Sequence, residues 1–167
     1  MTENKVQTEP PKGGAANVVA KEGKYLTFVL GEEDYGLEIL KVREIIGMMD
    51  ITPVPQVPNY VKGVINLRGK VIPVIDLRLK FGMEEIQQTT ETCIIVVTID
   101  NVLVGVMIDK VKEVLDIRQK DIEPAPRMGS SIKTEYILGI GKVGGQVKIL
   151  LNIDCILEEG LSLTKES

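Results

Sequence analysis

The chain contains no histidine. That removes the commonest general base, the usual activator of a serine or cysteine nucleophile, and the commonest metal ligand. Tryptophan is also absent, and aromatic residues make up only 4% of the chain, so no stacking platform for nucleobases is visible. The two cysteines, Cys93 and Cys155, lie far apart in apolar surroundings. They lack zinc spacing and read as reduced core thiols. No apolar run reaches the ~18 residues that cross a bilayer as a helix. The N-terminus lacks the positive-then-apolar pattern of a secretory signal, so the reading is cytoplasmic. A net charge of −4 opposes nucleic acid binding, which needs a concentrated basic face. Carboxylates are plentiful, but on strand ends and short helices they read as solvated faces. The expectation is a protein with no catalytic residues, no metal and no cofactor.

What the chain does have is a repeat. Tyr60 to Leu77, YVKGVINLRGKVIPVIDL, lies over Tyr136 to Ile153, YILGIGKVGGQVKILLNI, at a constant spacing of 76 residues. Tyr60/Tyr136, Gly63/Gly139, Gly69/Gly145 and Val71/Val147 are identical. Tyr25 to Ile45 likewise lies over Ile94 to Val114 at a spacing of 69, with Gly36/Gly105, Ile39/Ile108 and Glu44/Glu113 in register. Two blocks in the same order indicate a duplicated unit, with an insertion between Leu115 and Glu135. Solenoids need three or more copies, so two copies point to a closed pair of subdomains.

Each unit reads as short strands broken by turns. Tyr25–Leu30 and Tyr35–Glu38 are strands, and Ile39, Val42, Ile45 and Ile46 fall at helical spacing before Gly47. Pro53, Pro55 and Pro58 mark an extended connector. Val61–Leu67 and Val71–Ile75 flank a hairpin turn at Arg68-Gly69-Lys70. Asp76 caps a short helix ending before Gly82. In the second unit, Cys93–Ile99 and Val102–Ile108 are strands, and Lys110–Leu115 matches the first unit's helix, with strand left open. Asn152 caps a last helix over 153–159. The fold class is all-β: two similar five-stranded SH3-like barrels sharing a central hydrophobic seam, with short helices. Residues 1–23 and 161–167 read as tails, with subdomains at about 24–85 and 90–152.

The glycines Gly139-Ile140-Gly141-Lys142-Val143-Gly144 match G-x-G-x-x-G, but a strand and not a helix follows them. They read as a turn between barrel strands, not as a nucleotide site. The informative difference between the copies is Asn66-Leu67-Arg68-Gly69 facing Lys142-Val143-Gly144-Gly145. The turn does not require arginine, because its duplicate has Gly144. Glu44 stands at the matching point of a neighbouring element, and its repeat equivalent Glu113 has no such arginine to meet. Glu44 and Arg68 are expected to form a partly shielded ion pair that orients Arg68 toward a partner.

At these residues the sequence resembles the CheW family of chemotaxis coupling proteins. The segments YGLEILKVREI (35–45), YVKGVINLRGKVIPVIDLRLKFG (60–82), PAP (124–126), TEYILGIG (134–141) and ILLNID (149–154) fit in order. The resemblance runs from Lys24 to about Glu159. It implies two five-stranded barrels and a non-catalytic adaptor. Such an adaptor couples the cytoplasmic tip of chemoreceptors to the histidine kinase CheA, meets the kinase's CheW-like regulatory domain in rings, reaches the membrane only through receptors, and is largely monomeric when free. It implies a receptor groove on or near Val42, Glu44, Lys62, Gly63, Asn66 and Arg68, bordered by Gly105 and Gly139. A backbone constraint inside a barrel is an equal reading for those last two glycines. It further implies ring or kinase contacts in the loop Glu123 to Met128, with Glu123, Arg127 and Met128 as candidates. A coupling protein of a sister pathway, in twitching motility or biofilm signalling, would share fold and site. A small-ligand-binding barrel is the alternative from another class.

Overall fold

A strand that is apolar at nearly every position is one buried on both faces. CIIVVTI over Cys93–Ile99 is such a strand. The computed structural model describes residues 20–125 and 132–158. Its strands, in chain order, are β1 (Gly23–Leu30), β2 (Glu33–Glu38), β3 (Val42–Gly47), β4 (Val61–Leu67), β5 (Lys70–Asp76), β6 (Cys93–Ile99), β7 (Val102–Ile108), β8 (Lys110–Ile117), β9 (Ile122–Glu123), β10 (Ile137–Val143) and β11 (Gln146–Leu151). Helix α1 (Leu77–Lys80) follows β5, and residues 153–158 form α2.

The strands form two SH3-like barrels. One sheet runs β8-β1-β2-β11-β10-β9 and the other β3-β6-β7-β5-β4. This order corrects the expectation of two contiguous subdomains. Each barrel takes its first hairpin from one repeat and its remaining strands from the other. The cause is the shortness of the crossovers. A single 3-10 turn at Ile39–Lys41 carries the chain from β2 in one sheet to β3 in the other. Asp109 alone separates β7 from β8. Parallel pairs join the exchanged parts, Leu150 beside Gly36 and Val74 beside Gly105. By the repeat alignment these two junctions are the same junction seen twice.

Three apolar cores result. Between the sheets lies the seam, built from Leu26, Phe28, Leu30, Ile95, Val97, Val106 and Ile108 among others. A line of rings, Phe28–Tyr35–Phe81–Tyr136, runs through it with centroids 5.8, 5.8 and 6.2 Å apart. Ile65, Ile72, Val74, Ile94 and Val96 fill one barrel, and Tyr25, Ile117, Leu138 and Leu150 the other. Along β6 the side chains alternate, Ile94 and Val96 into the barrel, Ile95 and Val97 into the seam. That double burial explains the unbroken apolar run.

Two local expectations are corrected, and one left open is decided. Residues 39–46 are not helical beyond the 3-10 turn, because Val42–Gly47 pairs with β6. Lys110–Ile117 is also a strand, paired with β1. Both segments are short and rich in β-branched residues, so strand pairing overrides a weak helical period. Residues 20–22 do not belong to a tail. Ala20 is buried beside Tyr25 and Leu138, and its N–H donates to the Leu138 carbonyl at 3.1 Å.

Two repeat-related caps hold the helices. The Asp76 Oδ1 accepts from the Leu79 N–H, and the Asn152 Oδ1 from the Cys155 N–H, both at 3.3 Å. Asp76 is buried, and burial pushes its carboxyl up from the ordinary 3.8. Each helix is also tied across the molecule. Arg78 donates to both oxygens of Asp109 at 2.9 and 3.1 Å, and Asp109 accepts the Gly31 N–H at 2.8 Å. On α2, Asp154, the repeat equivalent of Arg78, meets Lys41 at 2.8 Å, one residue past the equivalent of Asp109. Cys93 and Cys155 are free, and burial pushes both thiols up.

Candidate functional site

The site begins with a tight turn. Leu67 pairs with Lys70, leaving Arg68 and Gly69 as a two-residue loop. Both have positive φ, 52° and 87°, as a type I′ turn requires. The Asn66 Oδ1 locks the turn by accepting the Gly69 N–H at 2.8 Å. In the duplicate turn the same two places are Gly144 and Gly145, at φ 58° and 77°. The first copy therefore holds an arginine in a backbone conformation that favours glycine.

Arg68 Nη2 donates to Glu44 Oε2. Glu44 reaches the turn from β3, where an extra residue, Arg43, interrupts the register between Val42 and Glu44. The pair is less shielded than expected, with the Arg68 side chain 69% exposed and that of Glu44 35%. It edges a cleft of about 210 Å³ at the mouth of the β3-β6-β7-β5-β4 barrel. Leu67, Ile72, Val96 and Leu103 supply apolar lining, and Arg43, Glu44, Arg68 and Lys70 a charged rim. Ile72 and Val96 are themselves buried, so what the cleft presents outward is its charged rim and the partly exposed Leu103.

The other expected site residues divide. Lys62 lies on β4 and pairs with Glu85 at 2.5 Å. It edges a second, open concavity of about 670 Å³, shared with Met48, Met49, Ile51 and Gln88. Val42 packs against the seam. Gly63 and Gly105 are spaces that backbone and core occupy. A Cβ at Gly63 would stand 2.1 Å from the Thr52 carbonyl oxygen, and one at Gly105 2.8 Å from Ile94 Cγ2. Gly139, the duplicate of Gly63, is in the other barrel beside the backbone of Glu123. Glu123 meets Lys142 at 2.5 Å. Arg127 and Met128 lie outside the described residues.

The sequence reading missed the cleft's apolar floor. Ile72, Val96 and Leu103 look like ordinary core residues. A signal existed, since the repeat replaces them with Lys148, Thr27 and Asp34. Among the described residues, no helix is long and apolar enough to cross a membrane.

An all-β double barrel with a charged-rim, apolar-floored cleft defines a docking scaffold. The chain belongs to the CheW family, whose CheW-like domain matches residues 24–160. It is 39% identical over 143 residues to the chemotaxis protein CheW of Klebsiella aerogenes, covering 86% of this chain and 85% of that protein. To the chemotaxis protein CheW of Helicobacter pylori it is 38% identical over 136 residues, covering 81% and 82%. The crystal structure of the scaffolding protein TtCheW from Thermoanaerobacter tengcongensis is similar at 37% identity and a TM-score of 0.77, covering 82% of this chain and 93% of that one.

Proposed function

We propose that the protein couples the cytoplasmic tips of chemoreceptors to the histidine kinase CheA, acting in the cytoplasm beneath a receptor array and carrying out no reaction of its own. One observation carries the receptor site: Arg68 is held against Glu44 at the mouth of an apolar cleft, at a turn position where the duplicate has glycine. A receptor tip is a helical hairpin, and the cleft offers one of its helices a charged rim beside the partly exposed Leu103. Asn66 holds the turn, and Val42, Gly63 and Gly105 hold the frame behind it. Lys62 extends the groove toward the second concavity. Gly139 supports the corresponding strand of the other barrel.

Kinase and ring contact is assigned to the outer apolar side chains. These occur as repeat-related pairs, Ile45 with Val114 and Val71 with Val147, each 45% or more exposed. Glu123, with Arg127 and Met128 outside the described residues, is assigned to the same contact.

The test is a pull-down with a soluble chemoreceptor cytoplasmic fragment and CheA, wild type beside Arg68→Ala. The expected result is a ternary complex that loses the receptor and keeps the kinase in the variant. Well-folded wild-type protein that binds neither partner would overturn the reading.

A further inference from the structure

The outer edges of β4 and β10 are repeat-related, and one of them is covered. β10 bulges at Leu138, between Ile137 and Gly139, and the Leu138 carbonyl accepts the Ala20 N–H at 3.1 Å. Further bonds clasp this strap of residues 20–22. The Glu22 N–H donates to Gln119 Oε1 at 3.2 Å, and the Gln119 N–H donates back to Glu22 Oε1 at 3.1 Å. Gln119 Nε2 donates to the Ala20 carbonyl at 3.3 Å, and the Tyr25 hydroxyl to the Lys21 carbonyl at 2.6 Å. Ala20, Ile117 and Leu138 are buried together. β4 carries the same bulge at Lys62, between Val61 and Gly63. Beyond it Thr52 pairs with Val64 as Glu123 pairs with Ile140, so the two edges share a frame. The cover is what differs. By the repeat, Ala20 corresponds to Thr89, whose N–H donates to Thr92 Oγ1 at 2.9 Å. Among the described residues, no backbone N–H from outside the β4–β5 ladder reaches the Lys62 carbonyl. Met48, the repeat equivalent of Ile117, is only partly buried, and Met49 is 37% exposed. Both line the open concavity of about 670 Å³ beside Lys62, with Ile51 and Pro53.

We propose that this concavity is a seat for an extended, apolar stretch of a partner protein, added to the edge of β4 as Ala20 is added to the edge of β10. The chemistry of the occupant follows from what the duplicate seat holds. It is extended, presents one backbone N–H to the Lys62 carbonyl, and sets small or apolar side chains against Met48, Met49 and Ile51. A helix fails the first requirement, because past its first turn every backbone N–H is bonded within the helix. The seat therefore takes a linker or tail, and the inference does not rest on the receptor reading of the Arg68 cleft. The Lys62 ammonium is no competitor for the carbonyl's partner, since Glu85 holds it at 2.5 Å. Strand addition of this kind draws affinity from main-chain bonds and selectivity from side-chain pockets. Methionine side chains are unbranched and polarizable, so a pocket built on two of them accepts varied apolar residues. Ile94 stands where the repeat has Tyr25, so the hydroxyl clasp on the strap has no counterpart here. An occupant is held by one backbone bond and apolar contact, which makes it exchangeable.

The experiment uses the chain's own strap as the probe. A peptide copying residues 16–22, Ala-Asn-Val-Val-Ala-Lys-Glu with blocked ends, is titrated into the full chain carrying carbon-13 at its methionine methyls. The protein's own strap is tethered at a high effective concentration, so the peptide does not displace it from β10. Saturable shifts of the Met48 and Met49 methyls are expected at millimolar peptide. The same peptide methylated on the backbone nitrogen of its second alanine, the position of Ala20, lacks the donor. It should bind about 2- to 10-fold more weakly, the worth of one backbone hydrogen bond. No shift at Met48 and Met49, or saturable shifts centred elsewhere, overturns the inference. Equal binding by the methylated peptide also overturns it, because the surface would then be an apolar patch and not a strand seat.

Discussion

Replacing Arg68 by glycine and by alanine separates what this residue costs from what it does. Its φ of 52° lies in the left-handed region. Alanine inherits that strain and loses the bond to Glu44. Glycine loses the same bond but relieves the strain, as Gly144 does in the duplicate turn. Left-handed backbone costs a residue with a Cβ about 1–2 kcal/mol. Glycine's extra freedom in the unfolded chain returns about 0.5–1 kcal/mol of that gain. With Arg68 largely exposed, the ion pair itself contributes at most about 1 kcal/mol and is absent from both variants. Arg68→Gly should therefore be more stable than Arg68→Ala by about 0.5–1 kcal/mol, a melting difference of about 1–4 °C for a chain of this size. Urea unfolding followed by far-UV circular dichroism measures this without any tryptophan. Both variants should lose receptor binding to the same degree, by about tenfold or more if Arg68 anchors the contact. Equal stability would refute the strain argument. Full receptor binding by the glycine variant would refute the assignment of Arg68 to the site.

A double-mutant cycle on Glu44 and Arg68 should give a coupling under about 1 kcal/mol in urea unfolding and a larger one in receptor titration, because the partner desolvates the pair. Gly63→Ala should destabilise by on the order of 3 kcal/mol or more, since its Cβ would meet the Thr52 carbonyl at 2.1 Å; thermal melts decide this. Asp76→Asn should keep the cap and stabilise the protein at neutral pH. Burial raises the folded carboxyl above its unfolded value, so wild type loses stability as pH rises from 3.8 through the raised value, and the variant does not. Unfolding curves of both at several pH values should converge below 3.8 and separate above it. Lys148→Ala should cost about 1–3 kcal/mol, since Asp34 loses its 2.5 Å partner but keeps Lys112 at 3.0 Å, whereas removing both charges with Asp34→Leu and Lys148→Ile should cost less, again by urea unfolding.

Much of the fold was legible because duplication leaves two readings of each element. The hairpins around Arg68-Gly69 and Gly144-Gly145 and the caps Asp76 and Asn152 each appear twice, and agreement between copies separates frame from function. The same comparison brought out Arg68, and Glu44 does meet it. The exchange of hairpins was not legible. Apolar spacing reports that Ile94 and Ile95 are buried, but not which copy's strands cover them. β3 was misread because VREII satisfies a helical period and a strand equally well over so few residues. The floor of the cleft stayed hidden for a related reason. Lys148 in VKILL looks like the exposed position of an alternating strand, and only its bonds to Asp34 and Gln146 show it to be interior.

The crossed hairpins also decide what kind of mechanical part this protein can be. Two barrels joined by a linker would form a joint, and a push on one could be lost in the swing of the other. Here neither barrel is complete without strands from both halves, and the Arg78–Asp109 and Lys41–Asp154 ties brace the crossing points. Turning one barrel against the other would strain the short crossovers at Ile39–Lys41 and Asp109 and shear the apolar seam, while the parallel pairs at Gly36 and Gly105 keep each barrel whole. The molecule is thus a bracket, and a displacement delivered at the Arg68 edge is carried to the far face with little give.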